Sequence, residues 1–204
     1  MHKLLNSNES YTFSKYFEMK LLPRNLANEF SYNFERKNLN LPQYDGELSR
    51  MEETLKRIVD VLPYVSLARE SSRREILIAP VILDLVYYTK SELEIEYPIK
   101  VNQQLQGVID YFLESSKDLL IVEAKREDLD FGMTQLIAEL IALDYWLEDK
   151  PQAYLLGAVT TGKSWEFAQL DRCKKLISQG LENYGIPKDI EELMRILVQA
   201  LTAN

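Results

Sequence analysis

Residues 107–125, GVIDYFLESSKDLLIVEAK, constrain the fold more than any other segment. Two apolar runs flank Ser115–Asp118, a cluster of turn-forming residue types. The runs are short and rich in β-branched and aromatic residues, which predicts strands. The short connection predicts that they pair as a hairpin. The second run is apolar almost throughout, as in a central strand covered on both faces. Side chains alternate across a strand. Val108, Asp110 and Phe112 therefore share one face of the first strand, and Ile121, Glu123 and Lys125 share one face of the second. Asp110 and Glu123 then lie side by side, with Lys125 one step beyond. Charges in such surroundings are costly without partners, and facing carboxylates repel. A hard divalent cation, Mg²⁺ or Mn²⁺, relieves both problems because it takes carboxylate oxygens and keeps several waters. Such an ion acidifies bound water and stabilises charge on a phosphate. A neighbouring lysine can orient or deprotonate that water.

The rest of the chain supplies elements to surround this hairpin. Residues 1–45 are irregular and aromatic-rich, interrupted by Pro23 and Pro42, and predict a short helix plus an arm packed on the core. Residues 46–204 form the main domain. Leu48, Met51, Leu55, Ile58 and Leu62 have helical spacing over 46–65. A second helix is expected over about 66–86, kinked or divided at Pro80. ELEIEYPIKV (92–101) alternates like a strand, with Pro98 marking an edge or bulge. Residues 130–148 predict a long amphipathic helix with Leu136, Leu140, Leu143 and Leu147 on one stripe. AYLLGAVT (153–160) and SWEFAQL (164–170) predict a second hairpin, and helices are expected near 171–180 and 188–202. This order indicates an α/β fold with a central mixed sheet flanked by helices.

Rare residues narrow the chemistry. The chain has 204 residues, one cysteine (Cys173) and one histidine (His2). An intrachain disulfide framework and a structural zinc site within one chain are excluded by these counts. Imidazole-based nucleophilic catalysis would depend on His2, at an end expected to fray. Catalysis must lean on carboxylates, lysines, hydroxyls and a hard cation. The net charge of −8 argues against broad, non-specific nucleic-acid binding while leaving room for a local basic groove. No apolar run approaches the ~20 residues that span a bilayer, and MHKLLNSNES lacks the apolar stretch of a signal peptide. The expectation is a cytoplasmic protein with no membrane partner.

Asp110, about a dozen residues, then Glu123-Ala124-Lys125 resembles the PD-(D/E)XK nuclease superfamily, which includes many restriction endonucleases. Ile109 stands where the family name has proline, a residue that carries no chemistry. Glu70, Arg74, Ile78 and Pro80 match E-x3-R-x3-I-x-P, which resembles the first helix of type I restriction-subunit nuclease domains. Gln135 falls early in the helix after Glu-x-Lys, where many members carry a supporting glutamine. Gln135, Glu139 and Ala142 share a helix face distinct from the leucine stripe. The resemblance covers about residues 66–170. It implies a restriction endonuclease-like core and metal-dependent hydrolysis of phosphodiester bonds, in DNA more than RNA. Asp110, Glu123 and the Ala124 carbonyl would hold Mg²⁺ or Mn²⁺ with help from Glu70. Lys125 would activate or orient water, and Gln135 would support the site. It also implies a homodimer, with the terminal helices as its surface.

Two other readings compete. The same fold could serve as an inactive binding or assembly module. Separately, GAVTTGKS (157–164) satisfies the phosphate-binding loop pattern G-x-x-x-x-G-K-[ST]. Its residues read as strand continuation, however, and no clear helix follows, so a hairpin turn at Thr161–Lys163 is the expectation. Lys163 at the site's edge, and the Arg69, Arg73 and Arg74 cluster, are candidate phosphate contacts. The tryptophans and Cys173 are expected in packing roles.

Overall fold

The computed structural model describes residues 5–6, 9–115, 118–125, 128–147 and 152–202. His2 and the centre of the 115–118 turn lie outside these. Helices α1 (Phe13–Glu18) and α2 (Pro23–Glu29) precede strand β1 (Asn33–Lys37). Helix α3 (Met51–Val61) and a 3₁₀ turn (Leu62–Tyr64) follow. Next come α4 (Glu70–Arg73), a π-helical turn (Arg74–Ile78) and α5 (Ala79–Thr89). Strands β2 (Glu92–Lys100), β3 (Gln106–Glu114) and β4 (Leu119–Ala124) lead into α6 (Leu129–Leu147). Strands β5 (Tyr154–Thr160), β6 (Ser164–Asp171), β7 (Leu176–Gly180) and β8 (Tyr184–Gly185) precede α7 (Ile190–Thr202).

The strands form one mixed eight-stranded sheet in the order β1-β7-β6-β5-β4-β3-β2, with β8 on β6. Every residue of β4 is buried, flanked by antiparallel β3 and parallel β5. Its run of Leu119–Val122 suits that central place, since each such side chain gains about 1.5–3 kcal/mol on full burial. One sheet face carries a core shared with α1, α2 and α6; the other carries a core shared with α3, α5 and α7. Pro98 lies in β2, the edge strand, where its missing N–H costs no ladder bond. Pro80 sits at the start of α5, just after the π-helical turn. The wider turn accommodates a ring that would clash with the carbonyl of residue 76 in a regular helix.

Three expectations need correction. Residues 171–180 form no helix: a turn with Lys175 at φ 47 leads into β7, which pairs antiparallel with β6 and parallel with β1. The first 45 residues are more than an arm, because they form two short helices and β1 completes a sheet edge. Cys173 is exposed rather than packed. Trp165 is fully buried, whereas Trp146 is 42% exposed and stacks edge-on with Tyr97 and Phe112.

The segment before α1 docks on β3 through a close approach. Thr12 bridges to Gln106, and Phe13 lies fully buried against Gly107. Gly107 adopts φ +152, and a Cβ there would stand 2.8 Å from Phe13 Cδ2. Only glycine adopts this conformation without strain and leaves that space. Gly107→Ala is expected to cost about 1–3 kcal/mol in chemical denaturation, by backbone strain and displacement of Phe13. A change within about 0.5 kcal/mol, the scatter of ordinary surface substitutions, would mean that the segment is not held this way.

Candidate active site

The β3–β4 ladder runs from Glu114↔Leu119 to Tyr111↔Val122. Beyond it the Asp110 carboxylate takes the place of a strand acceptor: the Ala124 amide donates to Asp110 Oδ2 at 2.8 Å. This ties Asp110 to the end of β4. The Lys125 amide instead donates to the Thr160 carbonyl of β5 at 2.7 Å, so β4 stays aligned with its parallel neighbour.

Helix α6 closes in from the side. Asp128 caps its start, accepting from the Phe131 amide at 3.4 Å. Gly132 then permits contact: a Cβ there would lie 2.8 Å from Val159 Cγ2 and 2.9 Å from Lys125 Cγ. One turn later Gln135 reaches the charged cluster. Lys125 Nζ donates to Gln135 Oε1 at 2.8 Å and lies 2.5 Å from Glu123 Oε1. Gln135 Nε2 donates to Glu123 Oε1 at 2.8 Å and to Glu139 Oε1 at 2.9 Å. On the other side, Arg74 Nη1 lies 3.5 Å from Asp110 Oδ1, and Arg74 Nε donates to the Tyr111 hydroxyl at 3.4 Å. Each carboxylate of the β3–β4 pair therefore faces a cationic side chain.

Glu70, Asp110, Glu123, Ala124, Lys125 and Gln135 line one cavity of about 300 Å³, with Thr12 and Ser14 contributed from the N-terminal segment. All six residues singled out from the sequence thus converge. Thr12, Ser14 and Glu139 went unassigned there. Thr12 and Ser14 carry no signal, because their place depends on docking over Gly107. Glu139 does carry one: a carboxylate four residues after Gln135, inside the apolar run LIAELIAL (136–143).

Electrostatics divide the roles. Burial, then the Asp110 charge, push Glu123 up to about 7 despite Lys125 beside it. Complete burial, then the Glu123 charge, raise Glu139 well above the ordinary carboxylate range. Glu123 Oε2 and Glu139 Oε2 are both sealed from solvent without a donor. Two carboxylates cannot satisfy each other, whereas a carboxyl and a carboxylate can, so the pair is at ease when Glu139 carries a proton. Burial works to lower the Lys125 ammonium, but the Glu123 carboxylate in contact with it, with Glu139 and Asp110 behind, outweighs burial and holds the group above the usual lysine range. Lys125 is accordingly a charged donor.

Among the described residues, no three His, Cys, Asp or Glu side chains converge to hold a metal ion. A cation here would draw on two carboxylates and backbone oxygen. The donor chemistry fits a hard ion: Asp110 and Glu123 line one cavity with Ala124, which brings two carboxylates and a backbone oxygen together. Residues 157–164 form the β5–β6 hairpin, with Gly162 at φ +82 and the Thr161 amide bonded to the Ser164 carbonyl at 3.1 Å. No helix follows Lys163, so this is not a phosphate-binding loop. Lys163 lines a different, largely apolar cavity with Leu62, Leu77 and Ile186. No helix among the described residues is long and apolar enough to cross a membrane. No protein-family model matches the chain, and no curated protein matches it.

Proposed function

We propose that the chain is a metal-dependent nuclease with a restriction endonuclease-like core of the PD-(D/E)XK type, acting on phosphodiester bonds in nucleic acid, DNA before RNA. The observation that carries this is the convergence of Asp110, Glu123, Ala124, Lys125, Gln135 and Glu70 on one cavity at the end of the β3–β4 hairpin. Asp110, Glu123 and the Ala124 carbonyl would hold Mg²⁺ or Mn²⁺, with Glu70 on the cavity wall. Such an ion would supply an acidified water and charge neutralisation at the phosphate. Lys125, kept cationic, donates to the attacking water or to the charge growing on the phosphate. Gln135 holds the Lys125 ammonium through its Oε1 and the Glu123 carboxylate through its Nε2. Arg74 stands beside Asp110, where it can meet a second phosphate oxygen.

The acidic balance favours a second reading, in which the same fold binds or assembles without cleaving. One experiment separates them. Wild-type protein incubated with supercoiled plasmid and Mg²⁺ or Mn²⁺ is expected to nick it, and EDTA is expected to stop the reaction. Millimolar Mn²⁺ should also raise the melting temperature by about 5–10 °C, since an ion at about 100 times its Kd adds about 2.7 kcal/mol. Asp110→Asn should lose both effects together. Intact plasmid under every ion condition, with no thermal shift, would leave the binding module standing. A cytoplasmic, homodimeric enzyme remains part of this proposal.

A further inference from the structure

Glu139 is a fully buried carboxyl that the proposed chemistry does not use. It comes from α6, one turn beyond Gln135, and accepts from Gln135 Nε2 at 2.9 Å. The same Nε2 also donates to Glu123 Oε1 at 2.8 Å, so both amide protons are committed to carboxyl oxygens. Gln135 Oε1 is left as the acceptor for Lys125 Nζ at 2.8 Å. A flipped amide would face its NH₂ to the Lys125 ammonium, donor against donor, and its oxygen to Glu123 Oε1, acceptor against acceptor. Burying a carboxyl in this position costs free energy that an apolar side chain would not. We propose that Glu139 is a positioning residue: its carboxyl locks the Gln135 side-chain amide in the one orientation that presents Oε1 to Lys125. Glu139 touches no substrate and acts through Gln135. For its effect on cleavage, this inference rests on the nuclease reading; for the orientation of Gln135 it does not.

The test keeps those two parts separate. The Gln135 side-chain amide protons can be followed by ¹H–¹⁵N NMR of the full chain, assigned by their loss in Gln135→Ala. Glu139→Leu, similar in size and without an acceptor, is expected to release one of the two protons, seen as an upfield shift and faster exchange with solvent. Glu139→Gln keeps an acceptor oxygen and is expected to leave both protons bonded. In Mg²⁺-dependent plasmid nicking, Glu139→Leu should lower kcat about tenfold, the scale of one lost hydrogen bond, with KM unchanged. Glu139→Gln should restore it. Glu139→Leu added to Gln135→Ala should cost nothing further, whereas a merely structural role would lower activity in both backgrounds. Unchanged Gln135 amide signals in Glu139→Leu would overturn the proposal. If Glu139→Leu fails to fold, Glu139→Gln decides alone, since loss of a bonded Gln135 proton in that variant is equally fatal. A released proton in Glu139→Leu together with an uncut plasmid for wild type would uphold the positioning role and sink the nuclease reading.

Discussion

Lys125→Ala is expected to lower Mg²⁺-dependent plasmid nicking by about 10³-fold while the chain still folds. The magnitude follows from removing a preorganised charged donor, which costs about 10²–10⁴-fold in sites of this kind. The geometry argues that no neighbour substitutes. Lys125 Nζ lies 2.5 Å from Glu123 Oε1 and 2.8 Å from Gln135 Oε1, whereas Arg74 is engaged with Asp110 on the other side. The truncation also leaves Glu123, only 2% exposed, beside Asp110 without its counter-charge. Breaking a buried pair in this way costs about 3–5 kcal/mol when the remaining charge cannot neutralise. Glu123 can take up a proton, so the loss of stability should shrink at low pH. Single-turnover nicking, with circular dichroism to verify folding, checks both expectations. A variant rate within tenfold of wild type would remove Lys125 from the chemistry.

The legibility of this site has a physical origin. Asp110, Glu123 and Lys125 stood out because charged residues interrupt runs otherwise destined for burial, and strand alternation places them together. Those are local signals, and a hairpin is a local structure. Glu139 was half-legible: its spacing to Gln135 was evident, but its carboxyl becomes meaningful only once α6 is known to press against Lys125 and β5 through Gly132. Thr12 and Ser14 were illegible because their position depends on Phe13 meeting Gly107, far along the chain. The error over residues 171–180 has the same source. Leu176–Gly180 becomes a strand because β6 pairs on one side and β1, far earlier in sequence, pairs on the other. Cys173 and Lys174 sit in the turn this creates, which is why a cysteine expected inside is exposed.

The buried acids also make stability depend on pH, in a direction opposite to that of most surface carboxylates. Glu123 is raised from an ordinary value of 4.5 to about 7 by burial and Asp110, and Glu139 is also raised, by burial and then Glu123. The folded chain therefore holds protons that the unfolded chain releases. Stability is full below the unfolded value and falls as pH rises through the window, by about 1.4 kcal/mol per pH unit for each proton retained. One proton held from pH 4.5 to 7 corresponds to a loss of roughly 3 kcal/mol. The groups facing the pair do not reverse this. Lys125, also raised, stays charged throughout and contributes a constant term, and Gln135 does not titrate. Glu166, raised chiefly by burial and then by Asp130, adds a smaller effect of the same sign. Glu35 and Asp171, lowered chiefly by hydrogen bonds from Lys37 and Lys174, act in the opposite sense and only below the ordinary carboxylate range. Urea denaturation of EDTA-treated protein between pH 5 and pH 8 should thus show a steady decline for wild type. Glu139→Gln should flatten that slope, because a neutral amide replaces the proton-demanding carboxyl and can donate to Glu123 Oε2. Saturating Mn²⁺ should flatten it too, since a cation at Asp110 and Glu123 favours the ionised form of Glu123. Equal slopes for wild type and Glu139→Gln would show that Glu139 is ionised in the folded protein, and that the sealed carboxyl pair does not share a proton.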